Sequence, residues 1–164
     1  MSIRTLQPER LWKEFYEICQ IPHPSKKEEK MIAYLQEFGK RHNLETRTDA
    51  AGNVLICKPA TPGYENRKKV ILQSHMDMVC EKNNDTQHNF DTDPIQPYID
   101  GEWVKAKGTT LGADNGIGMA TELAILASND LKHPALECLF TVDEETGLTG
   151  AFAIDPQLLK GEVL

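Results

Sequence analysis

Apolar residues recur at helical spacing twice near the start of this chain, and the pattern then changes to short, nearly continuous apolar runs. Leu11, Trp12, Phe15, Tyr16 and Cys19 share one face of a 3.6-residue repeat, which predicts an amphipathic helix over 8–20 with Pro8 at its first position. Ile21-Pro22-His23-Pro24 breaks that pattern. Ser25 followed by Glu28 has capping-box spacing, and Met31, Ile32, Leu35 and Phe38 give a second helix one apolar stripe that ends near 39–43.

From 44–48 and 53–59 the pattern becomes extended, with Ala51-Gly52-Asn53 between, which predicts a hairpin. A loop follows over 61–69. Val70-Ile71-Leu72-Gln73 and the run over 136–142 read as strands buried on both faces. Residues 81–100, rich in Asn, Asp, Thr and Pro, predict a long surface excursion, and 102–107 an edge strand. Asp114 opens a helix whose early turns carry Gly116, Gly118, Ala120 and Ala124, small enough to pack closely on a sheet. Strands alternating with helices indicate an α/β fold. Gly161-Glu162-Val163-Leu164 reads as the opening of a further strand, so the chain is expected to be the N-terminal part of a longer polypeptide.

With 164 residues, 40% hydrophobic and 26% charged, the expectation is one domain with its own core. The net charge of −7, with Arg67-Lys68-Lys69 as the one basic cluster, argues against a nucleic-acid partner. The opening MSIRTLQPER has no apolar leader region, and no stretch approaches the ~20 apolar residues of a membrane span. A soluble cytoplasmic protein is expected. Cys19, Cys57, Cys80 and Cys138 are scattered without a CxxC pair, which predicts reduced thiols filling the interior.

The candidate chemistry lies at the carboxyl ends of the buried strands and at the start of the glycine-flanked helix, where open α/β sheets build their sites. In His75-x-Asp77 the imidazole can ligate a metal while the carboxylate receives its other ring N–H; the plainer alternative is a polar strand end bonded to loop backbone. Asp114 could be an ordinary helix N-cap, but Gly108, Gly112, Gly116 and Gly118 around it allow close backbone approach to a ligand. A phosphate cradle is disfavoured, because the Lys-Ser/Thr of a P-loop is missing and a carboxylate stands where the anion would sit. Asp143-Glu144-Glu145 is either a solvated acidic turn or a group that needs a cation, in which one glutamate ligates and the other holds a water as general base. Together these residues offer the nitrogen and oxygen donors that suit zinc or another divalent metal. His23, His42, His88 and His133 read as surface or loop histidines.

SHMDMVCEKNND, DPIQPYIDGEWVKAKGTTLGADNGIGMA and VDEETGLTGAF, with IPHPSKKEE near the start and KPATPGYENRK before the His75 strand, closely resemble the co-catalytic di-zinc metallopeptidases. That family includes aminoacylases, carboxypeptidase G-type enzymes, peptidase T and peptidase V, and the match is strongest to its aminoacyl-histidine (Xaa-His) dipeptidase subgroup. The resemblance implies that His75 ligates the first zinc, Asp114 bridges two zincs, Glu145 ligates the second, Glu144 is the general base and Asp77 orients His75. It implies two zinc ions, for which cobalt or manganese can substitute, and a non-proline cis peptide before Asn115. The fold it implies is a three-layer α/β domain with a mixed, mostly parallel sheet, of which residues 1–164 form the N-terminal part. The lid or dimerisation domain and the C-terminal part of the catalytic domain would be absent from these residues.

The family's further ligands, an Asp some way beyond Glu145 and a distant His, have no counterpart here unless Asp155 supplies the first, which its setting in Ile154-Asp155-Pro156 disfavours. The implied activity is metal-dependent hydrolysis of dipeptides by a cytoplasmic homodimer, with the present residues alone incomplete and inactive. Hydrolysis of other amides, such as N-acyl amino acids, and a non-catalytic module are the alternatives.

Overall fold

The helical stripes and buried strands meet on one side of a mixed sheet. The computed structural model describes residues 2–164. After a 3-10 turn at Ile3–Thr5, the elements are α1 (Glu9–Cys19), α2 (Glu29–Arg41), β1 (Glu45–Thr48), β2 (Val54–Lys58), β3 (Val70–His75), β4 (Pro97–Asp100), β5 (Trp103–Ala106), α3 (Ala113–Ala127), β6 (Leu136–Thr141) and α4 (Thr149–Phe152). The main sheet has the order β1-β2-β6-β3. β1 with β2 and β2 with β6 are antiparallel, while β3 and β6 run parallel. A parallel pair needs a crossover, and here the chain between β3 and β6 includes β4, β5 and α3.

β6 is buried at all six positions, including Glu137, whose carboxylate lies 3.2 Å from the Lys69 ammonium. One face of the sheet packs Val54, Ile56, Cys138 and Phe140 against Phe15 and Ile18 of α1, Met31, Leu35 and Phe38 of α2, and Met119 and Leu123 of α3. On the opposite face Leu55, Ile71 and Leu139 form a smaller cluster with Leu158. Val163 makes one parallel bridge to Val70 beside β3. Cys19 and Cys138 are buried, Cys57 and Cys80 partly so, and all four are free thiols.

Several expectations are corrected. Residues 97–100 are not part of an unstructured excursion, and the edge strand expected over 102–107 is found at Trp103–Ala106, outside the main sheet. β4 and β5 form a separate two-stranded hairpin, Asp100 opposite Trp103, turning through Gly101 at φ 61°. The alternating Tyr98-Ile99-Asp100 before a glycine was the signal for this strand. The capping box does not form: α2 starts at Glu29 with no side-chain cap. His23 and His133 are buried rather than exposed. The His133 ring Nδ1 lies 2.8 Å from the Pro134 carbonyl. Among the described residues no helix is long and apolar enough to cross a membrane.

Candidate metal centre

Parallel pairing of β3 and β6 sets His75 opposite Thr141, so both strands release their chains at the same end of the sheet. His75 closes β3, and the loop after β6 carries Asp143, Glu144 and Glu145 to its side. Asp114 arrives from the start of α3. There Gly112 is left-handed at φ 71°, and Asp114 and Asn115 depart from helical angles. The Asp114–Asn115 peptide is cis, as the family resemblance implied. A Cβ on Gly118 would lie 3.1 Å from the Ser74 Cβ, so the absence of a side chain there lets α3 approach β3 beside the site.

The His75 Nε2 lies 3.1 Å from Asp114 Oδ1 and 3.8 Å from Glu144 Oε2. One ligand atom each from His75, Asp114 and Glu145 lies within 4.8 Å of the others. The other ring nitrogen, Nδ1, is 3.0 Å from the Asp77 carbonyl oxygen and 3.2 Å from its carboxylate. Asp77 is 1% exposed. Its Oδ1 accepts the Glu144 N–H at 2.9 Å, and its Oδ2 accepts the Ser25 hydroxyl at 2.7 Å and the Glu145 N–H at 3.2 Å.

These contacts set the electrostatics. Burial alone would raise the Asp77 carboxyl, but the bonds from His75, Glu144, Ser25 and Glu145 outweigh it and hold it far below the usual carboxylate range. At His75 burial opposes the cation, yet the bonds to Asp77 and Asp114 and the Glu144 charge prevail and push its pKa up to about 9. Burial also raises the Glu145 carboxyl, with Glu144, Asp114 and Asp77 adding repulsion against the opposing pull of His75. An acidic field that draws a proton to His75 draws a metal cation by the same attraction, and the two compete for the imidazole.

One imidazole nitrogen and converging carboxylate oxygens form a donor set that fits zinc or a similar divalent ion. His75, Asp114 and Glu144 line a cleft of about 450 Å³ whose walls include Leu139, Leu148 and Ile154. The Asp114 side chain is 87% exposed, so the cleft opens toward solvent at that carboxylate.

Asp143, grouped with its two neighbours by sequence, is turned inward. Its backbone is left-handed at φ 49°. Its carboxylate accepts the hydroxyls of Thr146 at 2.6 Å and Thr149 at 2.5 Å. Glu28, Asp77 and Asp143 form a second, fully buried acidic group behind the first. The carboxylate oxygens of Asp77 and Asp143 and one oxygen of Glu28 accept N–H and O–H donors from the surrounding loops. Ser25 and Glu28, which sequence reasoning assigned to a helix cap, therefore belong to the surroundings of the centre. His23 is nearby as well: the charges of Asp77 and His75 act on its ring, whose Nδ1 faces the Ile21 carbonyl. The stretch IPHPSKKEE carried that signal.

Asp155 is not in the donor group; its carboxylate accepts the Gln157 N–H at 2.9 Å. His88 lies elsewhere, edge-on to Phe90 at 4.5 Å between ring centroids.

The family model described as Peptidase family M20/M25/M40 matches residues 71–162. The chain is 55% identical over 163 residues to the cytosol non-specific dipeptidase of Escherichia coli (strain K12), covering 99% of this chain and 34% of that protein. The solved structure of aminoacylhistidine dipeptidase from Vibrio alginolyticus superposes with a TM-score of 0.97 at 57% identity, over 99% of this chain and 34% of that one. Aminopeptidase PepT from Bacillus cereus superposes with a TM-score of 0.79 at 26% identity, over 97% of this chain and 43% of its own. The chain thus spans about a third of the length of its two most similar relatives named here. The family match takes in β3, α3 and β6, the elements that carry His75, Asp114 and Glu145, and the chain belongs to peptidase family M20/M25/M40.

Proposed function

We propose that this chain supplies part of the catalytic centre of a metal-dependent dipeptidase, with two zinc ions as the working metals and cobalt or manganese as substitutes. The observation that carries this reading is the convergence of His75, Asp114 and Glu145 within 4.8 Å, with the Glu144 carboxylate 3.8 Å from the same imidazole. His75, Asp114 and Glu145 would hold the metals. Bound there, zinc supplies Lewis acidity toward the scissile carbonyl and the attacking water. Glu144 takes the proton of that water and passes it to the leaving amine. Asp77 holds the His75 ring through Nδ1, which would leave Nε2 as the ring's ligand atom for a metal.

The cleft is in the size range of small-molecule sites, and Leu139, Leu148 and Ile154 offer an apolar wall to a substrate side chain. Dipeptides are the proposed substrates, supported by the names of the Escherichia coli and Vibrio relatives, and the Xaa-His kind among them is supported by the Vibrio name alone. A homodimer is proposed on the family resemblance of the sequence and a cytosolic place on the name of the Escherichia coli relative, with residues 1–164 forming the N-terminal part of the catalytic domain. A further carboxylate and imidazole from outside these residues complete the donor set, so the 164 residues alone hold zinc weakly and turn over little substrate.

The test is zinc stoichiometry after metal-free purification, on the 164-residue chain and on a longer protein that carries it, beside hydrolysis of a carnosine-type dipeptide and an N-acyl amino acid. Two tight zincs with dipeptide turnover in the longer protein, and weak binding in the shorter, support the proposal. Cleavage of the N-acyl amino acid alone would move the reading to a deacylase, and no zinc in either protein would refute the metal assignment.

A further inference from the structure

Two side chains between α1 and α2 have capping-box spacing and cap nothing. Ser25 Oγ donates instead to Asp77 Oδ2 at 2.7 Å, across 52 residues of sequence. Glu28, 6% exposed, accepts the N–H of Lys26 at 3.0 Å and the N–H of Asp143 at 2.9 Å through a single oxygen. Lys26 between them is left-handed at φ 67°. Pro24 makes a parallel bridge to Met78, which lays the backbone of this segment against the residue after Asp77. The segment over 24–28 is thus tied independently to the chain after β3 and to the loop after β6.

We propose that Ser25 and Glu28 are positioning residues of the metal centre: Ser25 fixes the rotation of the Asp77 carboxylate, and Glu28 fixes the backbone at Asp143. The inference rests on the reading of His75 and Glu145 as metal ligands. Asp77 is the junction through which the effect travels, because its carboxylate meets the His75 ring and also accepts the N–H groups of Glu144 and Glu145. The terminal torsion of an aspartate is broad and roughly two-fold, so its own preference does not hold the carboxylate plane; the donors around it do. The Ser25 hydroxyl makes the shortest of these bonds, and its bond to an ionised oxygen is of the stronger, charge-assisted kind. Without it, Oδ2 keeps the Glu145 N–H at 3.2 Å, and rotation of the carboxylate would move His75 and the glutamate loop together. Glu28 acts one residue from Glu144: its bond holds the Asp143 N–H, where the chain turns left-handed and sends the next two side chains toward the centre.

The experiment compares Ser25→Ala and Glu28→Ala with the conservative Ser25→Thr and Glu28→Gln in a longer protein that carries these residues and the complete donor set. Three quantities are read: amide hydrogen exchange without metal, zinc affinity by competition with a chromophoric chelator, and thermal unfolding. Ser25→Ala is expected to speed exchange selectively at Glu144 and Glu145 and to weaken zinc about tenfold, in the range seen when groups behind metal ligands are removed. Glu28→Ala should do the same with the change centred on Asp143, and the two conservative variants should restore both readouts. Wild-type exchange at these amides in Ser25→Ala, or faster exchange confined to the first turn of α2 with zinc affinity unchanged, would overturn the proposal in favour of a helix-end role. If the wild-type longer protein binds no zinc, the metal assignment fails, and the exchange pattern in the metal-free protein still decides whether Ser25 and Glu28 hold the loop. Should Glu28→Ala not fold, Ser25→Ala decides alone.

Discussion

The Asp77 carboxylate accepts the backbone N–H of Glu144 at 2.9 Å while its side chain stands 3.2 Å from the His75 ring. One buried anion therefore couples the imidazole at the end of β3 to the glutamates after β6. Its ionised state is secured by donors rather than by solvent, and removing its charge leaves those donors facing a poorer acceptor.

Asp77→Asn keeps the size of the side chain but places an amide N–H₂ among N–H and O–H donors. Zinc affinity should fall by about 10- to 100-fold with the fold retained. A chelator-competition titration beside a circular dichroism spectrum checks this, and unchanged affinity would remove Asp77 from the positioning role.

Glu144→Gln, made in a protein with the complete site, removes the proposed base without removing a ligand. Turnover of dipeptide should drop by about 10²- to 10⁴-fold, the usual contribution of general acid–base catalysis, while bound zinc stays the same. Steady-state kinetics with metal analysis on the same preparation measures both, and near wild-type turnover would reassign the base.

Glu122 predicts a pH dependence of stability. It is 4% exposed, one of its oxygens has no hydrogen-bond partner, and burial pushes its pKa from 4.5 up to about 8. Between those values the folded protein keeps a proton that the unfolded chain has released. This group therefore costs stability progressively as pH rises through that window, and its contribution levels off above it. Glu122→Gln should gain on the wild type from pH ~5 to ~8, by on the order of a few kcal/mol. Paired denaturant titrations across that range test it; a constant difference between the two proteins would show that Glu122 is ionised in the folded state.

Gly150 sits where α4 meets the end of β6. A Cβ there would come within 2.7 Å of the Val142 nitrogen and closer still to the Val142 carbonyl oxygen and Asn53 Oδ1. Asn53 Nδ2 donates to the Gly150 carbonyl at 2.9 Å, and Asn53 Oδ1 accepts the Val142 N–H at 3.1 Å, so the crowding falls on a buried staple between two loops. Gly150→Ala should destabilise by about 1–3 kcal/mol, the usual cost of overpacking. A thermal melt reads this directly, and an unchanged melting temperature would show that the loop relaxes freely.

Much of the fold was legible because its elements bury one face each. The stripes of α1 and α2 and the short, largely apolar runs of β3 and β6 lie where the pattern places them. β4 escaped because four residues inside a polar, proline-containing stretch carry too little periodicity, and its pairing with β5 alone leaves it outside the main core. Ser25 and Glu28 were misread for a related reason: capping-box spacing is a local signal, and two long-range acceptors and donors outcompeted it.

The residues at the centre are marked by local sequence pattern alone. His75, Asp77, Asp114, Glu144 and Glu145 stand directly after apolar runs or at a glycine-flanked helix start, positions that local pattern marks as open ends of an α/β sheet. Tertiary structure decided which of them face one another. Adjacent Asp143 and Glu144 are chemically alike in sequence, yet one is buried against Thr146 and Thr149 and the other lines the cleft. That division depends on a left-handed backbone at Asp143, on the parallel register of β3 with β6, and on hydrogen bonds spanning 52 to 115 residues. Side-chain periodicity is a property of neighbours along the chain, whereas a shared hydrogen-bond partner exists only once distant segments have been brought together.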